Sequence, residues 1–113
     1  VAVKPLEAIR QFSVEAGPLE EAFGQKARLS IMACLLAAER LSFLTLKQDL
    51  HLTDGNLSTH LSYLERKGYL VLEKGFRGKR PYTEALLTDG GREAFEHYIR
   101  ALETWITALS DAK

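Results

Sequence analysis

Apolar positions recur at helical spacing in some stretches of the chain and alternate in others. The switches between the two patterns divide it into elements. Over 25–40, Leu29, Met32, Leu35 and Leu36 share one helical face, and Ala33, Cys34, Ala37 and Ala38 form the other. A helix apolar on both sides is expected to be buried on both sides, which predicts a central core helix. The stretch 41–43 is long enough only for a stub of strand. A helix over 44–50 turns Leu46 and Leu50 inward, and His51-Leu52-Thr53 forms a tight turn. Thr53 or Asp54 then caps a helix over 55–67, whose inward stripe is Leu57, Leu61 and Leu64. Gly68 ends it as a C-cap glycine. Short helix, tight turn and longer helix make a helix-turn-helix.

Two alternating runs, 70–74 and 82–87, flank a glycine-punctuated basic loop over 75–81 and predict a hairpin. Pro81 lacks an N–H and belongs at a strand start or an edge. Phe76 is expected to anchor the loop to the body. Thr88 caps a last helix over 89–110, with Asp89 placed to suit the helix dipole. At the other end, 1–17 has a weak pattern and reads as an arm. Gly17-Pro18 breaks it, and Pro18 is suited to open a short helix through Phe23.

A length of 113 residues predicts one domain, and a composition 46% hydrophobic and 27% charged is that of an ordinary folded chain. The apolar run 31–38 is too short to cross a bilayer, and no basic-then-apolar leader opens the sequence. A cytoplasmic location with no membrane partner is expected. The lone Cys34 rules out an intramolecular disulfide and a multi-cysteine zinc site, and among alanines on a buried helix it is expected to be inert. His51 and His97 stand on separate elements without further ligands at metal spacing, so no metal and no cofactor are expected. No nucleophile elbow, phosphate-cradling glycine loop or paired catalytic carboxylates are present, which argues against an enzyme.

Net charge is zero, but the charge is unevenly placed. The stretch 44–82 holds seven bases against four acids, whereas 83–113 holds three bases against six acids. The middle of the chain is therefore the candidate for an anionic partner.

The order of elements is that of a winged helix, mainly α with a small β-hairpin. The words Leu52-Thr53-Asp54-Gly55-Asn56-Leu57-Ser58, His60-Leu61, Leu64-Glu65, Gly68-Tyr69-Leu70, Gly75-Phe76-Arg77-Gly78, Arg80-Pro81, Leu87-Thr88 and Gly91-Arg92 follow one another at matching spacing. Together they resemble the winged-helix transcriptional regulators of the MarR-like group, over about 18–98. The resemblance implies a homodimeric repressor or activator whose recognition helix enters the major groove of DNA. The organisation expected is an arm at 1–17, a winged helix-turn-helix at 18–88 and a dimerisation helix at 89–113. The chain is short for the full MarR architecture, whose longer flanking helices form a ligand cleft, so a small-molecule effector is left open.

The residues support the same reading independently. On the 55–67 helix the face away from the leucines holds Asn56, Thr59, Ser62, Tyr63 and Arg66, with Ser58 near the start. Amides, hydroxyls and guanidinium match base-edge donors and acceptors. Any solvated helix face is polar too, and Tyr63 could equally pack against the wing. Thr53 and the helix N-terminus are placed for a phosphate. Arg77, Lys79 and Arg80 are expected on phosphates or in the minor groove. His60 lies near the leucine face and reads as a half-buried packing residue. The last helix carries a stripe of Phe95, Tyr98, Ile99, Leu102, Trp105, Ile106 and Leu109, more apolar surface than so small a domain can cover. A twofold dimer would bury it, although part could fold back on the 25–40 helix. The competing reading is a winged helix that binds another protein without DNA, which the zero net charge favours.

Overall fold

The computed structural model describes residues 19–111. The predicted arm at 1–17 and the helix start at Pro18 lie outside the described residues. After a 3-10 turn at Glu21–Phe23 come α1 (Lys26–Ala38), β1 (Arg40–Ser42), α2 (Phe43–Leu50), α3 (Asp54–Arg66), β2 (Leu70–Arg77), β3 (Arg80–Leu87) and α4 (Asp89–Asp111). The strands form one antiparallel sheet in the order β1-β3-β2. This is a winged helix, mainly helical, as the pattern predicts. The chain divides into two compact units, one of them Glu21–Phe95, the other including the part of α4 from Glu96 onward.

Local signals set most element ends. The Ser42 hydroxyl accepts from the Thr45 N–H at 3.0 Å and caps α2. The Thr53 hydroxyl does the same for α3, accepting from the Asn56 N–H at 3.1 Å. Between them His51 takes the left-handed conformation, φ 54°, which makes the turn of the helix-turn-helix. α3 closes with both bonds of a Schellman motif: the Tyr69 N–H reaches Leu64 O and the Gly68 N–H reaches Glu65 O, with Gly68 at φ 82°.

The core of Glu21–Phe95 is built from Phe23, Ile31, Met32, Leu35, Leu46, the three α3 leucines, Leu70 and Phe95, all almost fully buried. Phe23 stands edge-on to Phe95 and tilted against Tyr69, both at 5.1 Å between ring centroids. The expectation for α1 needs correction. Its inward face is Arg28, Ile31, Met32 and Leu35, while Leu29, Ala33, Ala37 and Ala38 are exposed and Cys34 is half-buried. The helix packs on one side. Its true stripe is centred on an arginine that hydrophobic counting leaves out.

The hairpin also differs from expectation. Pairing continues to Arg77 opposite Arg80, so the predicted seven-residue loop shrinks to a two-residue turn, Gly78-Lys79. Gly78 has φ 63° and Lys79 does not share a positive φ, the signature of a type II′ turn, whose twist suits the strands. Gly75 stays in the ladder opposite Tyr82. Pro81 lies beyond the reach of β1, which pairs only with Glu84–Leu86, so β3 is an edge there. On the other edge, the Leu72 N–H donates to Glu65 Oε2 on α3 at 2.8 Å.

One junction joins the end of α3 to the start of α4. The Thr88 hydroxyl donates to Gly68 O at 2.7 Å and accepts from the Gly91 N–H at 2.9 Å, and the Thr88 N–H reaches Tyr69 O. A Cβ on Gly91 would overlap the Tyr69 carbonyl. Gly91→Ala is therefore expected to lower stability by about 1–3 kcal/mol, the range for overpacking. Gly55→Ala, with open space around it, is expected to change stability by less than about 1 kcal/mol. Thermal unfolding of the two variants checks the contrast, and equal melting points would remove the junction's importance.

Candidate nucleic-acid interface

α3 exposes its polar side. Thr53, Asn56, Ser58, Thr59 and Arg66 are exposed, and Ser62 is half-buried. Thr53 Oγ1 is occupied by the cap, and the Thr59 hydroxyl donates to Gly55 O at 2.9 Å. Gly55 adds no side chain to this face, so another molecule can come close to the backbone there. The Lys47–Asp54 pair at 2.8 Å brackets the start of the helix.

Tyr63 is placed differently from the sequence expectation. It is half-buried, and the Arg28 guanidinium lies 4.2 Å from its ring centroid. It supports α3 from the side and does not stand free among the other polar residues. Arg28 itself was invisible to periodicity and is 8% exposed. It donates from Nε to Ala22 O at 2.6 Å and from Nη1 to Gln25 Oε1 at 3.2 Å. The same Nη1 is 3.4 Å from His60 Nδ1. Since a guanidinium can only donate, Nδ1 of His60 must accept, which requires the neutral ring. Burial, and then the charge of Arg28, hold the His60 pKa below its ordinary value. The half-buried packing histidine read from the sequence is thus in place.

The hairpin bases stand outside the ion-pair network. Among the described residues Lys74, Lys79 and Arg80 have no acidic partner, whereas Arg40 pairs with Glu73 at 3.3 Å and Glu84 at 3.7 Å. Arg77 stacks over Tyr82, 4.1 Å from the ring centroid, which fixes its stem on one face of the hairpin. Lys74 and Thr83 face Ser58 and Ser62 of α3 across a cleft. Lys74 lies in the strand before the basic loop 75–81 and so outside the segment that the pattern marks for phosphate contact. Phe76 does not anchor the wing, since it is 74% exposed.

Of the predicted dimer stripe, Phe95 and Tyr98 are already buried within the single chain. Phe95 belongs to the core, against Phe23. Ile99, Leu102 and Trp105 are half-buried, and Ile106 (61%) and Leu109 are exposed. Among the described residues no group of three or more His, Cys, Asp or Glu could hold a metal ion. No described helix is long and apolar enough to cross a membrane.

Comparison with known proteins agrees with this geometry. Residues 27–106 match the family described as winged helix DNA-binding domain. An uncharacterised protein of Methanocaldococcus jannaschii is 40% identical over 77 residues, covering 68% of this chain and 84% of that protein. The solved structure of a transcriptional regulator homologue from Pyrococcus horikoshii OT3 is 30% identical. It superposes with a TM-score of 0.77 over 91% of this chain and 97% of its own. The structure of reduced AbfR bound to DNA shares the fold at 21% identity, with a TM-score of 0.65 over 88% of this chain and 69% of its own. The chain belongs to the winged-helix DNA-binding family, and the resemblance to MarR-like regulators holds.

The partial burial of His60, and then its contact with Arg28, make stability depend on pH. A histidine held below 6.5 binds protons more readily when unfolded, so stability is full above that value and is lost as pH falls through the folded value. Thermal unfolding followed from about pH 8 to 5.5 is expected to show this loss, and His60→Gln should flatten it. An identical pH slope in the two proteins would dissociate His60 from it.

Proposed function

We propose that this winged-helix family member is a sequence-specific regulator that binds duplex DNA as a homodimer. In this reading α3 enters the major groove and the hairpin meets phosphates or the minor groove. The observation that carries it is the juxtaposition of an exposed polar α3 face with hairpin bases that have no acidic partner among the described residues. Asn56, Ser58, Thr59, Ser62 and Arg66 supply the groups that read base edges, with the shared structure of DNA-bound AbfR in support. Tyr63 acts as the support of that helix. Arg77, Lys79 and Arg80 neutralise phosphates, and Lys74 joins them from the cleft beside α3. Leu102, Trp105, Ile106 and Leu109, with Ile99, form the dimer contact, and Phe95 and Tyr98 stiffen the helix that carries it. A dimer sets two recognition helices about one DNA turn apart. The regulatory role follows the family and the transcriptional regulator homologue of Pyrococcus horikoshii OT3.

The decisive experiment compares binding isotherms, at fixed salt, on a duplex selected by the protein from a randomised library and on a random duplex. Asn56→Ala is expected to lose ~1–3 kcal/mol of discrimination between them. Lys79→Ala should weaken both alike and reduce the log–log salt slope by ~0.9 for each phosphate it no longer neutralises, hence by up to ~2 for a dimer. Equal binding to both duplexes by the wild type would reduce the reading to nonspecific contact, and no binding to either would leave the protein-partner alternative. In sedimentation, Leu102→Glu with Ile106→Glu is expected to give monomers. A persistent dimer would place the interface elsewhere.

A further inference from the structure

Phosphate contact makes no use of Phe76. It is the most exposed large hydrophobic side chain among the described residues. Along β2 it shares a face with Leu72 and Lys74, and across the ladder it stands beside Pro81. Leu72 and Lys74 line the cleft against Ser58 and Ser62 of α3. Phe76 therefore extends, by about 13 Å beyond Leu72, the hairpin face that is turned toward α3. Of the four bases in 74–83, a stretch without an acid, Lys74 shares the face of Phe76, Lys79 stands in the turn, and Arg77 and Arg80 lie on the opposite face at the tip. The nearest strand carboxylates, Glu73 and Glu84, lie on the opposite face, and Arg40 pairs with both.

An aromatic ring and a proline at a hairpin tip whose bases have no acidic partner among the described residues call for a surface that is anionic at its rims and apolar between them. A nucleic-acid groove has that form, with phosphates along its edges and sugars and base faces inside. Minor-groove proteins use phenylalanine and proline as wedges that part a base step and kink the duplex. We infer that Phe76, backed by Pro81, is such a wedge. It enters the minor groove next to the α3 site, with Arg77, Lys79 and Arg80 on the flanking phosphates. This rests on the DNA-binding reading above and adds to it an apolar contact, a deformed duplex and a preference for easily unstacked pyrimidine–purine steps beneath the wing.

The test uses the full chain and the duplex that the wild type selects from a randomised library. Phe76→Ala is expected to weaken binding by about tenfold or more, as removing an aromatic side chain stacked on a base does. Its salt slope should remain that of the wild type, in contrast to Lys79→Ala. Phe76→Leu should keep part of the affinity, since leucine also serves as a wedge. The DNA bend measured by circular permutation should shrink in Phe76→Ala, and the melting point of the free protein should not move. A photoreactive benzoylphenylalanine at position 76 should crosslink to DNA. Wild-type affinity and bend in Phe76→Ala, or crosslinking to a second protein chain in the complex, would overturn the wedge while leaving DNA binding intact. A wild type that binds no duplex would overturn the DNA-binding reading and the wedge with it.

Discussion

The orientation of α3 depends on one buried cation. The guanidinium of Arg28 is surrounded by the Ala22 carbonyl, the Gln25 amide, the His60 ring and the Tyr63 face. A charge removed from water is tolerable only when its donors are taken up. These partners come from the 3-10 turn, the start of α1 and the flank of α3. Satisfying the charge therefore fixes three elements at once. The leucine stripe alone would let α3 roll by some degrees about its axis. The contacts at 60 and 63 oppose that roll, so the polar side of α3 is presented in one setting.

What was legible in the sequence was what short-range physics decides. The leucines at 57, 61 and 64, the caps at Thr53 and Thr88, and the glycine at 68 each act within a turn or so of themselves, and the structure has them where the pattern put them. The α1 face was misread because arginine carries no weight in a hydrophobic pattern, and two of its partners, His60 and Tyr63, lie more than thirty residues away. The hairpin is expected from the pattern, but its loop is drawn too long, because glycine is taken as punctuation. Gly75 instead lies within a strand, and cross-strand pairing decides where the chain turns. The placement of Phe76 followed from that register, so it could not be foreseen while the residue was assigned to a loop.

The long apolar stripe of α4 shows a different limit. Helical spacing groups Phe95 with Leu109, but not all of a stripe serves one purpose. Phe95 completes the aromatic core with Phe23, while Ile106 and Leu109 remain in solvent. Which part a chain uses for itself depends on how far the other elements extend, and that is a property of the assembled fold. For the interface residues the distinction is practical, since truncating Phe95 would unfold the domain and say nothing about association.

The contact between Glu65 and the Leu72 N–H has a consequence for how the protein behaves among its own copies. β2 is an outer strand eight residues long, with Val71 and Phe76 exposed, and such an edge is a template on which another chain can add a strand. A carboxylate seated on one of its outward N–H groups removes a donor that such a strand would need. It also places a negative charge where an incoming carbonyl would have to approach. Glu65 thereby opposes the addition of a further strand along this edge of the wing.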